Sequence, residues 1–138
     1  MVQEFIRFRS AVPNRRGRYP GVFALANGLV EYHMLSDKDS AWLRETNAQA
    51  DIAYTDPSAV QPDCYSRDLN PGARSWFKRE QRQLLALSMQ YLRLLDRYGI
   101  PWTELRTTSP GRIVYEDEFQ VVAVPAAYPT HWPFSTGQ

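Results

Sequence analysis

Five arginines fall within the first twenty residues, Arg7, Arg9, Arg15, Arg16 and Arg18, against a single acid, Glu4. That end of the chain carries a local charge of +4 and the remainder carries −3, so a formal net charge of +1 conceals a polarised molecule. A guanidinium is a planar fork of donors that grips phosphate or carboxylate through paired hydrogen bonds. A concentrated positive field therefore points to an anionic ligand or partner. Arg15, Arg16 and Arg18 lie in a stretch broken by Pro13, Asn14, Gly17 and Pro20, which reads as a loop over 12–20. The loop delivers the chain into a helical pattern, and the unpaired amides and positive dipole end of a helix N-terminus also favour anions. Tyr19 adds an aromatic face. Arg7 and Arg9 alternate with Ile6 and Phe8, which predicts a strand over 4–10 with both arginines on the surface opposite the core. The candidate ligand-binding set is thus Arg7, Arg9, Arg15, Arg16, Arg18 and Tyr19. It is not a P-loop, because no Gly-Lys-Ser/Thr follows Gly17 and Gly21.

Other chemistry is sparse. Cys64 is the only cysteine, with no local signature of a cysteine enzyme, and Ser10, Ser75 and Ser88 lack a Gly-x-Ser-x-Gly setting. His33 closes the first helix, where a cation is favoured, and His131 stands among aromatics near the end. Two separated histidines and one cysteine make no zinc pattern, and Glu116, Asp117 and Glu118 at a hairpin tip converge poorly on one ion. No metal and no cofactor are expected, and no residue is assigned as catalytic.

The elements that must position the arginines follow from periodicity. Val22, Leu25, Ala26, Leu29 and Val30 predict a helix over 21–34. Ser36 reads as the cap of a second helix over 37–54, whose thin apolar stripe is Ala41, Ala48 and Ile52 beside Trp42. Residues 55–73 read as irregular, interrupted by Pro57, Pro62 and Pro71, with Tyr65 and Leu69 as possible anchors or a short helical turn inside. Asn70 and Pro71 read as the start of a third helix carrying Phe77, Leu84, Leu87, Tyr91, Leu94 and Tyr98 on one stripe. Gly99 and Pro101 stop it. A strand over 102–108 and a hairpin of 112–115 with 119–125 complete the pattern, before an irregular tail rich in proline and aromatics over 126–138.

Phe8 to Gly17, Gly21 to Leu29 and Leu69 to Arg74 together resemble a group of small uncharacterised actinobacterial proteins. That group has no assigned activity, so the resemblance implies no role for any residue. The stretch from Arg112 to Pro125 also resembles the opening hairpin of histidine-triad nucleotide hydrolases, but the His-x-His-x-His run which that family requires is absent from this chain.

One α+β domain over 1–125 is expected, with three helices packed on one face of an antiparallel sheet of three to four strands. The sheet is built from the final three strands, with the first strand at its edge or centre. The chain has neither a signal core nor the roughly 18 apolar residues of a membrane span, so the cytoplasm is its expected location. The expected function is binding: the basic N-terminal face engages an acidic protein surface or a phosphate-bearing ligand. Nucleic acid is possible but not favoured, no membrane partner is expected, and the oligomeric state is open. The alternative is a small enzyme acting on a nucleotide or phosphorylated substrate, its arginines holding the anion while Tyr115, Asp117, Glu118 or His131 moves protons.

Overall fold

The computed structural model describes residues 2–126, so the end of the tail, with His131, lies outside the described residues. Alternating apolar residues form β1 (Phe5–Ser10), and the chain then loops into α1 (Val22–Glu31). Next comes α2 (Asp37–Ala53), where the Ser36 hydroxyl accepts from the Asp39 amide as the sequence predicts. A single turn, α3 (Pro57–Val60), and a 3-10 turn (Pro62–Tyr65) occupy the segment expected to be irregular. They lead through β2 (Arg74–Lys78) to α4 (Arg82–Arg97), β3 (Trp102–Thr107), β4 (Arg112–Glu116) and β5 (Gln120–Val124). The architecture is α+β: helices cover one face of a five-stranded antiparallel sheet, in the order β3-β1-β2-β5-β4. Among the described residues, no helix is long and apolar enough to cross a membrane.

The fifth strand is the main departure from expectation. Residues 74–78 form β2 at the centre of the sheet, not the first turns of a helix. Phe77 fits both patterns, because it lies seven residues before Leu84 and also alternates with Trp76 and Lys78. Pairing with β1 on one side and β5 on the other decides between them, as tertiary context does for a short strand. Asn70 therefore caps nothing: its side chain donates to the Asp63 carbonyl, and Gly72 turns the chain at φ +74°. Nor are the last three strands contiguous. β3 pairs only with β1, and β4–β5 attach to the far side of β2, leaving β1 and β2 inside.

The main core lies between sheet and helices. Ile6 and Phe8 of β1 and Phe77 of β2 meet Val22, Ala26 and Leu29 of α1, Leu43 of α2, and Leu84, Tyr91, Leu92, Leu94 and Leu95 of α4. The wide stripe of α4 is buried on two sides, as its width predicts. The inward face of α2 is not the predicted stripe: Ile52 is 89% exposed, while Leu43 and Thr46 are buried. Under the α3 segment the anchor is Cys64, packed with Tyr115 and Val122, whereas Leu69 is exposed. A second apolar cluster, Phe5, Trp76, Val121 and Ala123 with Leu105, lies on the other face of the sheet.

Candidate anion-binding site

The two inner strands separate early. β1 pairs with β3 along six residues but with β2 at only two positions, Phe5↔Lys78 and Ile6↔Phe77. Beyond Ile6 the chain entering α1 takes over that side of β1: Arg9 bridges to Gly21, and the Ser10 amide donates to the Pro20 carbonyl at 2.8 Å. A gap opens between this segment and the start of β2, and the Arg7 guanidinium fills it. One Arg7 nitrogen donates to the Ser75 carbonyl at 3.1 Å and another to the Tyr19 carbonyl at 3.3 Å. The guanidinium lies in van der Waals reach of Gly21, where α1 begins.

Arg7 is a half-buried cation without a counter-ion among the described residues. Among the described residues no carboxylate pairs with it, and its buried Nε has no hydrogen-bond partner. Burial, with added repulsion from Arg74 and Arg9 and partial relief from Tyr65, pulls its pKa down to about 10. Arg74 is lowered in the same direction, by burial first and then by Arg9. Uncompensated guanidinia held this close form a standing demand for negative charge.

Three adjoining cavities surround them. The first, about 330 Å³, is lined by Arg7, Arg18, Arg67 and Arg74 with Tyr19 and Tyr65, and no acid lines it. The second, about 270 Å³, lies between Arg7, Arg74 and the first turn of α1, from Gly21 to Ala24. That turn has no side-chain cap and no acidic residue, so no carboxylate competes there for an anion. The third, about 350 Å³, lies among α1, α2, α4 and the sheet. It is lined by the rings of Phe23, Tyr54, Phe77 and Tyr91 and by Asn27, Asn47, Asp51 and Gln120. Tyr65 lines all three cavities. Its phenol is pushed up in pKa, mainly by burial, against the effect of a hydrogen bond with Ser75.

The six residues singled out in the sequence therefore divide. Arg7, Arg18 and Tyr19 line the first cavity. Arg9 stacks over the Tyr19 ring at 4.1 Å, fixing one wall, and donates to its neighbour's carbonyl at Ser10. Arg15 and Arg16 do not join them; they line a separate depression with Asn14 and Tyr32. The cause is a tight turn. The Asn14 side-chain oxygen accepts from the amides of Arg16 and Arg18, and Gly17 turns at φ +73°, so only Arg18 returns toward the sheet. Arg67, Arg74 and Tyr65 were missed. Their signal is a further cluster of basic and aromatic residues at 65–74, but its location depends on recognising β2.

The acidic hairpin is elsewhere. β2 runs from Arg74, beside the arginines, to Lys78, which pairs with Glu116 at 2.7 Å. Four strand steps, about 13 Å, separate those ends. Asp117 is consumed inside its own turn, accepting from the amides of Phe119 and Gln120 and from the Tyr115 hydroxyl. Tyr115, Asp117 and Glu118 are thus not brought to the arginines, contrary to the arrangement that the enzymatic alternative needed. Cys64 is fully buried, and burial with nearby Asp56 and Asp63 pushes its thiol pKa up, away from nucleophilic character. No protein-family model, no curated protein and no solved structure matches this chain.

Proposed function

We propose that this protein binds a small phosphate-bearing ligand, with the phosphate held between Arg7, Arg74 and the first turn of α1 and enclosed by Arg18 and Arg67. The observation that carries this reading is the half-buried Arg7 guanidinium, with a buried, unpartnered Nε and no carboxylate, lining an acid-free cavity. The positive groups converge on a concavity and not across a flat face, which favours a small molecule over an acidic protein surface. A reducing, cytoplasmic setting accords with the single, buried Cys64.

Calorimetric titration with inorganic phosphate at low ionic strength tests it. Arg74→Ala and Arg67→Ala should each weaken binding about tenfold or more, the effect of losing one charge-assisted contact. Arg15→Ala/Arg16→Ala should leave affinity within about twofold after allowing for screening. An Arg74→Ala protein that stays folded and binds phosphate as well as the parent would overturn the proposal.

A further inference from the structure

The third cavity continues from the cavity at the α1 N-terminus, since Phe23, Tyr65, Ser75 and Phe77 line both. Its chemistry is different. Phe23 lies near Phe77 and Tyr91, with ring centroids 5.9 and 4.7 Å apart, forming an apolar wall of ring faces and edges. Opposite polarity stands beside the wall. Asn47 is fixed, its side-chain oxygen accepting from Tyr91 and its nitrogen donating to the Asn27 oxygen at 2.8 Å. That leaves the Asn27 nitrogen as a donor. Asp51, one helical turn beyond Asn47, supplies an acceptor, and among the described residues its carboxylate has no hydrogen-bond or ion-pair partner. An oriented donor and a carboxylate acceptor next to aromatic rings match a flat heterocycle with a ring acceptor and an exocyclic amine on one edge. From Val22, in the first turn of α1, to Asn27 is five residues of helix, about 7.5 Å. That is of the order of the reach from a 5′-phosphate to its base.

Resting on the phosphate-binding reading, we infer that the ligand is a nucleoside 5′-monophosphate whose base carries an exocyclic amine. The base stacks in the cavity between α1 and α2, with Asn27 and Asp51 reading its edge. The phosphate occupies the arginine end, and the ribose passes Tyr65 and Ser75. The distribution of charge supports this order of groups: cations line one end of the joined cavities, and Asp51 and Asp56 line the other.

The test compares calorimetric affinities for AMP, CMP, UMP and ribose 5-phosphate on the full chain. AMP or CMP should bind at least tenfold more tightly than ribose 5-phosphate and UMP. Asn27→Ala and Asp51→Ala are surface changes compatible with folding, and each should erase most of that advantage while leaving ribose 5-phosphate binding within about twofold. Arg74→Ala should weaken every phosphate compound alike. Equal affinities for the three nucleotides and ribose 5-phosphate would overturn the inference while leaving phosphate binding intact. Failure of all four to bind would remove both.

Discussion

Replacing Arg7 with methionine separates a ligand-holding role from a structural one. The side chain holds its charge against a pKa displaced from 12.5 to about 10. At about 1.36 kcal/mol per unit, the charged form is opposed by roughly 3 kcal/mol in the folded, ligand-free protein. The sign is that of a depressed base: the penalty is present in full at neutral pH and is relieved only as pH rises above about 10. Methionine fills similar length without charge. It also strips a donor from each of the Ser75 and Tyr19 carbonyls, at about 1 kcal/mol apiece. The two effects nearly cancel, so Arg7→Met should lie within about 1 kcal/mol of the parent in phosphate-free buffer. Cutting one member of a buried ion pair, in contrast, costs about 3–5 kcal/mol. Urea denaturation with and without phosphate is the assay. Phosphate at about a hundred times its Kd should stabilise the parent by about 2.7 kcal/mol, and the variant by much less. A variant that loses 3 kcal/mol or more without phosphate, yet is stabilised by phosphate like the parent, would show Arg7 to be a strut and refute the reasoning.

Two further outcomes concern the scaffold. Gly111 sits at φ +118°, and a Cβ there would lie 2.0 Å from the Val124 carbonyl oxygen, so Gly111→Ala should destabilise the fold by about 3 kcal/mol or more in the same denaturation assay. Tyr91 and Tyr115 are both pushed up to about 12, mainly by burial, with Asp51 adding to Tyr91 and a hydrogen bond to Asp117 adding to Tyr115. Ultraviolet titration of the folded protein should therefore leave the Tyr91 and Tyr115 phenols un-ionised at pH 11, and Tyr115→Phe should reduce the un-ionised count by one. Because unfolding frees these phenols to ionise near pH 10, each makes stability fall between about pH 10 and 12, opposite to Arg7.

Much of the fold is written in local pattern. The stripe of α4, the Ser36 cap, the alternation in β1 and the β4–β5 hairpin each follow from spacing within one element. β2 does not, because its five residues satisfy two periodicities and only their partners in β1 and β5 choose between them. The same ambiguity hid half of the site. Arg74 stands on β2, and Arg67 precedes it by a turn whose direction β2 sets, so neither could be placed beside Arg7 without that strand. In α2 the pattern misled for another reason. It buries Thr46, whose hydroxyl donates to the Trp42 carbonyl, and places Asn47 and Asp51 along a cavity, and hydrophobic counting ignores polar residues at such positions.

The place where local rules fail is also where the sheet gives up hydrogen bonds. β1 and β2, both interior strands, pair at two positions and then diverge, although nothing in the residues of β1 prevents a longer ladder, as its six pairs with β3 show. What fills the opening is Arg7, which supplies donors to two carbonyls but introduces a charge that the fold leaves unmatched. An apolar residue and a continued ladder would make the better sheet. A guanidinium kept at that position, beside the start of a helix without a side-chain cap, is where the chain departs furthest from local rules, and the proposed phosphate site lies there.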